Sequence, residues 1–450
     1  MKKCLLTLAV SSALLTSMTQ VQAAGFQLAE YSATGLGRAF AGEAAMADNA
    51  SAQARNPALL TLLPGRQVST GVIYVSTEVD VTGDVHLSSP LLGPNGLTLP
   101  ADAFDVADSA YIPNFYYSSQ MDDNWSWGLA MNSNYGLATE LPKTHSAAIF
   151  GNETSVTTVE LAPNLAYRLN EQLALGAGVR LVYGEGSIGA STPAWVGAIK
   201  ANPMLPAQIA ARLPDPGTSL KTMEGDDLGY GWQLGATWQP SLNHRFGLAY
   251  HSGVELELSG SASGVMYTGG QPLEIDGYLP LELPAFAELS SFHQLSDALA
   301  LHASINWTQW SSFDRLVAYF PGDTKPIGGL ESDLVKEEHF KDNWRYALGA
   351  SYVLNPQWTL RAGVALDQTA VDDEWRTTTI PDSDRLWFSL GASYQFNDKL
   401  TLDLALTHLR AHGDAPITEQ QDLAGLALVE FDGEAGGKVW LAGIQLSYKL

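Results

Sequence analysis

The sequence predicts an all-β fold: a transmembrane antiparallel β-barrel of 14 strands with a small N-terminal hatch of short helices that plugs the lumen. Hydrophobic residues make up 46% of the 450-residue chain and charged residues only 16%, yet the sequence beyond residue 23 contains no apolar helix long enough to span a bilayer. Large apolar residues instead alternate with small or polar ones, and short and long gaps between the alternating runs follow one another. Both patterns are typical of a barrel that faces lipid outside and water inside.

The first 23 residues have the pattern of a secretory signal peptide. A basic start precedes an apolar core at residues 5–15, and small residues follow at 21–23. We therefore expect the mature chain to begin at Ala24. Cys4 is the only cysteine and would leave with the signal, so the mature protein would have no disulfide and no thiol chemistry.

The charge balance argues against a nucleic-acid partner. The chain contains 24 Lys and Arg against 48 Asp and Glu, which gives a net charge of -24. A protein that binds nucleic acid needs a basic surface to neutralise phosphates. We therefore expect no nucleic-acid partner.

Alternation with a period of two residues dominates the chain from about residue 66 onwards. In one run, Tyr230, Trp232 and Leu234 alternate with Gly231 and Gln233. Counting such runs gives fourteen, and bacterial outer-membrane barrels contain an even number of strands. The runs cover residues 66–80, 111–119, 125–136, 155–169, 173–185, 227–239, 243–259, 280–293, 299–312, 338–354, 357–370, 383–396, 399–411 and 438–450.

The gaps between the runs indicate which ends of the strands face the same side. Tight gaps such as 121–124 and 170–172 are rich in Asn and Asp, and most of the gaps between them are long, for example 186–226 and 412–437. Short periplasmic turns and long extracellular loops produce this pattern. A large soluble β-sandwich or propeller is the alternative, but it offers no reason for the short and long gaps to alternate.

Residues 24–65 do not alternate and are dense in glycine and alanine. Because a barrel of fourteen strands encloses a wide lumen, this apolar segment has a place to pack. We therefore divide the chain into a signal peptide (1–23), a hatch (24–65) and a barrel (66–450). A disordered N-terminal extension is the alternative for the middle segment.

A helix start is predicted at Asn56-Pro57-Ala58. Asn56 suits the capping position, and Pro57 suits the first helical position because its missing N–H costs nothing there. Ala58 and the following residues can propagate the helix. This tripeptide alone is weak evidence for any particular function.

No enzyme signature is present in the sequence. It contains no Gly-x-Ser-x-Gly, no His-Glu-x-x-His and no phosphate-binding loop, and the nine histidines are not at metal-ligand spacing. We therefore expect no catalytic residues, no cofactor and no metal site. The alternative is an enzyme whose catalytic serine and histidine are distant in sequence and are brought together by the fold.

Several segments taken together resemble the FadL-type outer-membrane transporters of long-chain fatty acids and other hydrophobic compounds. The resemblance runs in order from residue 24 to about residue 446 and so covers essentially the whole mature chain. The segments that carry it are Ala24-Gly25-Phe26-Gln27-Leu28, Gly35-Leu36-Gly37-Arg38-Ala39-Phe40-Ala41-Gly42-Glu43, Arg55-Asn56-Pro57-Ala58-Leu59, Ser133-Asn134-Tyr135-Gly136-Leu137-Ala138-Thr139-Glu140, Ala166-Tyr167-Arg168-Leu169-Asn170 and Ile380-Pro381-Asp382-Ser383-Asp384-Arg385.

The resemblance implies a transport route. A hydrophobic ligand would be captured at the extracellular loops, pass to a site beside the hatch, and leave sideways into the lipid through a kink in the third strand. In this chain the kink would fall at Asn134, Tyr135 and Gly136, where glycine permits a bend and asparagine tolerates unusual φ. An ordinary strand end that enters a loop is the alternative.

The same resemblance suggests three ligand-binding residues, namely Phe26, Ser133 and Lys336. Lys336 would pair with a fatty-acid carboxylate. The family also offers an arginine shortly after the fifth strand, but here that stretch, around Ala190, has no basic residue. This departure keeps neutral hydrocarbons, such as alkanes or aromatics, open as alternative substrates, and Lys336 could equally be a solvated loop lysine.

The expected location is the outer membrane of a Gram-negative cell. The expected partners are the hydrophobic ligand, outer-membrane lipid and lipopolysaccharide, and the barrel-assembly machinery during biogenesis, with the barrel itself a monomer. A general porin is a further alternative for the function. A porin needs no plug of about 40 residues, so the hatch distinguishes the two.

Overall fold

A computed structural model describes residues 25–90, 92–423 and 425–450, and the predicted signal peptide lies outside them. The described residues form twenty-one strands in one antiparallel sheet, and none of their helices is long and apolar enough to cross a membrane. The strands are β1 (Arg66–Ser88), β2 (Leu97–Pro100), β3 (Ala110–Gln120), β4 (Trp125–Asn132), β5 (Gly136–Glu140), β6 (Glu153–Arg168), β7 (Leu173–Ser191), β8 (Ser219–Ser241), β9 (His244–His251), β10 (Val254–Ser263), β11 (Ile275–Leu283), β12 (Phe286–Gln294), β13 (Leu299–Thr308), β14 (Arg315–Tyr319), β15 (Ser332–Glu337), β16 (Asn343–Val353), β17 (Trp358–Asp367), β18 (Arg385–Gln395), β19 (Leu400–Ala411), β20 (Pro416–Asp422) and β21 (Leu428–Lys449). The α-helices are α1 (Ala33–Leu36), α2 (Ala194–Lys200), α3 (Ala207–Ala210) and α4 (Val265–Thr268), and 3₁₀ helices cover Glu43–Ala45, Ala50–Ala54, Pro57–Leu62 and Trp310–Ser312.

The sheet closes on itself to form the predicted barrel. β1 pairs with β21 along its whole length, from Gln67 opposite Lys449 to Ser88 opposite Leu428. Within the described residues the wall consists of fourteen antiparallel spans, five of which are interrupted, while β2 and β20 add short hairpin strands at the end away from Gln67 and Lys449. We call that end the loop end. The predicted fold class is therefore confirmed.

The two faces of the wall differ in the way the alternation predicts. The outward side chains of Tyr230 and Leu248 are 79% and 55% exposed, whereas the neighbouring inward Ala249 is 1% exposed. Trp232 and Tyr250 pack together on the same outer surface. An outward apolar belt with aromatic residues is the surface that lipid requires.

Several strands extend further towards the loop end than the alternation predicts. The runs predicted at 66–80 and 438–450 belong to strands that reach Ser88 and begin at Leu428. The pattern ends earlier than the strand because outward residues beyond the lipid need not be apolar. Residues 83 and 433, for example, are paired glycines within this extension.

Two runs predicted as continuous strands, 243–259 and 280–293, are interrupted, and two others, 299–312 and 338–354, extend past the strand ends at Thr308 and Asn343, so those predictions were wrong in detail. The breaks lie at residues 252–253, 284–285, 309–314 and 338–342. At the first, the Ser252 carbonyl accepts from Arg180 at 2.5 Å and its hydroxyl accepts from the backbone N–H of Trp232. At the second, Pro284 has no N–H to donate. At both breaks the hydrogen bonds between neighbouring strands are interrupted, while inward and outward side chains still alternate on either side.

The segment before β1 fills the lumen as the predicted hatch. Its short helices touch strands around most of the wall, including β3, β4, β6 to β9, β12, β18, β19 and β21. Hydrogen bonds fix it from several directions: the Gly42 N–H donates to Ser304 Oγ at 2.7 Å, and Gln53 Nε2 donates to the Tyr117 carbonyl at 2.9 Å. The hatch is therefore attached to the wall along its whole path.

Glycines on the inner face of the wall allow the hatch backbone to approach closely. A Cβ placed on Gly247 would lie 1.8 Å from the Ala44 carbonyl oxygen, and one on Gly363 would lie 2.1 Å from the Arg38 carbonyl oxygen. Neither position could carry a side chain without moving the hatch. Part of the small inward row seen in the sequence is therefore the contact surface for the hatch.

Buried ion pairs add an electrostatic connection between the hatch and the wall. Arg38 holds Glu43 at 2.5 Å and Asp48 at 2.7 Å, and Asp48 also lies 3.7 Å from Arg361 of β17. Burial alone would raise the pKa of Asp48, but the two guanidinium groups outweigh it and lower the pKa to about 2. Asp48 therefore stays ionised and keeps its partners in place.

Candidate ligand-binding cavities

An apolar cavity lies between the hatch and the wall, and we call it the inner cavity. Its volume is about 60 Å³. Its described lining includes one acidic side chain, Glu224, and no lysine or arginine. Its main apolar lining residues are Phe26, Leu137, Val156, Ile188, Met223, Leu258, Leu279, Leu281, Phe313, Leu316, Phe320 and Ile380. Such a lining suits a hydrocarbon chain or ring.

Phe26 is the residue through which the hatch contacts this cavity. Its ring is 1% exposed and lies 4.6 Å from Trp310, 5.2 Å from Phe313 and 6.2 Å from Tyr135, measured between ring centroids. Edge-to-face packing of this kind holds an aromatic side chain in one orientation. The structure therefore places Phe26 where a ligand in the inner cavity would touch it.

The third span breaks beside the same ring. β4 ends at Asn132 and β5 begins at Gly136, and among the described strands β5 pairs only with β6. Residues 110–114 of β3 pair with β1 on one edge but have no partner strand on the other. The ladder on that side of the third span is thus interrupted at Ser133, Asn134 and Tyr135.

The hatch and side-chain hydrogen bonds take the place of the missing ladder. The Gly136 N–H donates to the Phe26 carbonyl and the Leu28 N–H donates to the Asn134 carbonyl, both at 2.7 Å. Thr158 Oγ1 donates to the Tyr135 carbonyl at 2.7 Å. Neither Asn134 nor Gly136 has a positive φ, so the bend does not depend on the unusual φ that was expected for asparagine and glycine here. That part of the explanation was wrong.

A larger cavity lies towards the loop end, and we call it the outer cavity. Its volume is about 510 Å³, and α2 and the strand ends around it form the roof and walls. Its lining combines apolar residues with two lysines, Lys221 and Lys336, and one acidic residue, Asp422. The apolar residues include Ile149, Phe150, Ile188, Val196, Leu213, Met223, Met266, Val335, Leu423 and Leu426.

Lys336 is held within the outer cavity and is not a free loop lysine. Its Nζ donates to Thr379 Oγ1 at 2.6 Å and lies 3.6 Å from Glu419 Oε1, with the side chain 12% exposed. The distance to Glu419 is longer than a direct charge-assisted hydrogen bond. The ammonium group therefore keeps the capacity to bind a second anion.

Lys221 is the second basic group, and sequence reasoning missed it. It lies on β8 directly opposite Ala190 of β7, where no basic residue was found. Its Nζ forms an ion pair with Asp333 Oδ2 at 2.6 Å. Only the register between two strands separated by a long loop brings Lys221 to this cavity, and that register cannot be read from the local sequence.

The two cavities are neighbours. Ile188 and Met223 line both of them, so these two side chains form the partition. The inner cavity lies on the hatch side of the partition and the outer cavity on the loop side. A ligand that moves from one to the other has to pass Ile188 and Met223.

The remaining predicted residues have clear positions. Asn56 Oδ1 accepts from the Ala58 N–H at 3.0 Å and caps the 3₁₀ helix that begins at Pro57, while Asn56 Nδ2 donates to the Ala236 carbonyl of β8. Ser133 Oγ donates to the Thr158 carbonyl at 2.5 Å and lines neither cavity. The structure therefore brings Phe26 to the inner cavity and Lys336 to the outer one, and it separates Ser133 from both.

A closed barrel with an apolar belt, a plugged lumen and two mainly apolar cavities has the architecture of an outer-membrane channel for hydrophobic molecules. A family model described as "Outer membrane protein transport protein (OMPP1/FadL/TodX)" matches residues 13–450. The chain is 34% identical over 464 residues to a long-chain fatty acid transport protein of Escherichia coli O6:H1, with 98% of this chain and 97% of the relative covered. It is 37% identical over 416 residues to outer membrane protein P1 of Haemophilus influenzae, with 89% of each chain covered.

Solved structures show the same architecture. A Pseudomonas aeruginosa FadL homologue matches with a TM-score of 0.79 and 25% identity over 95% of this chain and 100% of that chain. The Pseudomonas putida toluene transporter TodX shares the fold with a TM-score of 0.65 and 21% identity, over 95% of this chain and 100% of that chain. The protein belongs to the FadL/TodX family of outer-membrane transport proteins. It is an outer-membrane β-barrel of a family of transporters rather than enzymes.

Proposed function

We propose that the protein imports long-chain fatty acids across the outer membrane. The observation that supports this most is the pair of adjoining cavities: an outer one with two ammonium groups in an otherwise mainly apolar lining, and an inner apolar one against the hatch. A fatty acid has the matching distribution of charged and apolar groups, with one carboxylate and a long hydrocarbon chain. Relatives named long-chain fatty acid transport proteins lend support at 34% and 33% identity.

The ligand would first bind in the outer cavity, which the extracellular loops surround. Burial of its chain among Phe150, Val196 and Leu423 removes apolar surface from water, while its carboxylate meets Lys336. It would then pass Ile188 and Met223 into the inner cavity and reach Phe26. In this proposal residues 24–65 act as the hatch that keeps the ligand from passing straight through the lumen.

Release would occur sideways at the break in the third span. Leu137 of β5 and Val156 of β6 line the inner cavity, so the cavity reaches the strands at the break. The Asn134, Tyr135 and Gly136 segment has lost its ladder to β3 on this side. A hydrophobic chain leaving there enters lipid without crossing water, which is favourable. Because the barrel closes within one chain through β1 and β21, we expect a monomer embedded in outer-membrane lipid and lipopolysaccharide and inserted by the barrel-assembly machinery.

Neutral hydrocarbons are the second candidate. The described lining of the inner cavity has no basic residue, so an alkane or an aromatic hydrocarbon would fit it as well as a fatty-acid chain. The two candidates differ only in what they need from the outer cavity. A carboxylate uses its ammonium groups, whereas a neutral molecule does not.

Uptake in cells tests the proposal. The protein is expressed in a Gram-negative strain that lacks its own fatty-acid transporter, and uptake of radiolabelled oleate and hexadecane is measured. We expect expression to raise oleate uptake above the empty-vector level. Hexadecane uptake without oleate uptake would contradict the fatty-acid assignment and favour the neutral-hydrocarbon function.

A further inference from the structure

Lys221 is part of a compact polar cluster at the partition between the two cavities. Its Nζ lies 2.6 Å from Asp333 Oδ2, and the hydroxyl of Tyr267 donates to the same carboxylate oxygen, also at 2.6 Å. The ammonium group further lies 5.6 Å from the centroid of the Tyr267 ring. Asp333 is therefore shared between one cation and one hydroxyl.

The same tyrosine also contacts the partition. Tyr267 Oη lies 3.2 Å from Met223 Sδ, and Met223 lines both cavities. Met223 and Lys221 are two residues apart on β8, which places their side chains on the same face of the strand. The ion pair between Lys221 and Asp333 is thus connected to the position of Met223, because Tyr267 contacts both Asp333 and Met223.

Tyr267 lies on a short helix that a glycine bounds at each end. The short helix α4 lies between Gly264 and Gly269, which adopt φ of 107° and 65°. Both values favour glycine, whose lack of a Cβ permits them. Met266, next to Tyr267, lines the outer cavity, so a ligand there would touch this helix directly.

We propose that Lys221 is a second binding residue for the ligand carboxylate, beside Lys336, and that its transfer from Asp333 to the ligand frees the linked Asp333, Tyr267 and Met223 side chains to move together, which opens the inner cavity. The inference rests on the proposed transport of fatty acids. A ligand carboxylate in the outer cavity competes with Asp333 for one ammonium group. A ligand can shift such an equilibrium only through a contact it makes better in one state, and here the ion pair with Lys221 is that contact. A neutral ligand makes no such contact and leaves the partition closed.

Binding measurements on the purified full-length protein test the first part. Oleate and its neutral methyl ester are titrated against wild type, Lys221→Met and Lys200→Met. Lys200 is the matched control because it also holds a carboxylate, Asp215, at 2.6 Å but does not line either cavity. We expect Lys221→Met to weaken oleate binding about 10- to 100-fold, the range for loss of a charge-assisted contact. Methyl oleate should bind both variants at least as well as wild type because it needs no ammonium group, and this binding also shows that the variants are folded.

A second variant should have the opposite effect on the affinity for oleate. Asp333→Asn removes the competing carboxylate, so oleate should bind more tightly than to wild type. The inference is overturned if Lys221→Met binds oleate as wild type does, or if Asp333→Asn weakens it. Failure of wild type itself to bind oleate would instead contradict the proposed function, so the two failures are distinguishable.

Uptake by cells that express Tyr267→Phe tests the connection to the partition. This substitution removes the hydroxyl that contacts Asp333 and Met223 while keeping the ring that packs on Phe320. We expect uptake of methyl oleate, which cannot displace Asp333, to rise above wild type, with oleate uptake retained. Unchanged methyl oleate uptake would overturn the coupling of Lys221 to Met223.

Discussion

At the scale of single residues, charged groups in this protein differ in how completely their partners satisfy them. Arg180 and Glu160 are paired at 2.8 Å inside the barrel and are almost fully buried, which fixes both in a structural role. Lys336 has a hydroxyl at 2.6 Å and a carboxylate only at 3.6 Å, in a cavity large enough for a ligand. Lys336 can therefore bind a ligand carboxylate without first giving up a close ion pair.

Replacing Lys336 should therefore separate charged from neutral ligands. A hydrogen bond to a charged group contributes about 1.5–3 kcal/mol, so Lys336→Ala should weaken oleate binding by about 10- to 100-fold. Binding of a long alkane should not change because it makes no charge-assisted contact. The check is a titration of both ligands against both proteins, and equal oleate affinity would mean that Lys336 takes no part in head-group recognition.

A single glycine should decide whether the hatch fits. A Cβ at position 247 would overlap the Ala44 carbonyl oxygen, which belongs to the hatch backbone and cannot rotate away. Gly247→Ala should displace this part of the hatch and increase the ion conductance of the protein in planar bilayers. Gly436→Ala is the control, since a Cβ there meets nothing within 4 Å. A fully sealed Gly247→Ala channel would show that the hatch contact can be lost without opening the lumen.

At the scale of elements, much could be predicted from the sequence because a single row of apolar residues faces lipid. The fourteen spans, the tight turns such as 170–172, and the cap at Asn56 depend on neighbouring residues along the chain. The break at Ser252 and the position of Lys221 depend on partners far away, Arg180 and Ala190 among them. Local patterns contain no information on which residue lies across the lumen or across the next strand.

The hatch should respond to pH through Glu30. Burial raises the pKa of this hatch carboxyl to about 7, although Arg345 and Arg385 oppose the shift. An acid with a raised pKa favours the docked hatch while it is protonated, so its contribution is complete below the usual carboxyl range and is lost as pH rises through about 7. Channel openings in planar bilayers should therefore become more frequent from about pH 4.5 to about pH 7 and level off above that.

Two variants test whether Glu30 is the group that causes this pH dependence. Glu30→Gln cannot ionise and should remove most of this pH dependence, whereas Glu171→Gln, in an exposed turn, should leave it intact. The same slope with pH in Glu30→Gln and in wild type would assign the effect to other groups of the hatch.

At the scale of the whole molecule, the barrel provides a wall, the hatch closes the lumen, and the break in the third span weakens the wall beside the inner cavity. The hatch is bonded to the wall through contacts such as Gly42 with Ser304 and Asp48 with Arg361, whereas the wall at Tyr135 has lost its ladder to β3. Opening the wall there would break the bonds of Phe26 and Leu28 to Gly136 and Asn134 but would leave contacts such as Gly42 with Ser304 in place. We therefore expect the ligand to leave sideways.

Locking the hatch to the wall provides the most direct test. A Cβ on Gly349 would lie 3.0 Å from the Cβ of Ala41, and one on Gly443 would lie 3.0 Å from the Cβ of Ala33. Each separation is about 0.5 Å shorter than the lower end of the range that a disulfide spans, so a small outward shift of the hatch backbone would allow each disulfide to form. A protein with Ala41→Cys, Gly349→Cys, Ala33→Cys and Gly443→Cys would hold the hatch at two points and leave Phe26 free. Oleate uptake is then measured with the disulfides formed and after reduction. Sideways release predicts the same uptake in both states, and uptake that stops on oxidation and returns on reduction would show that the ligand passes through the lumen instead.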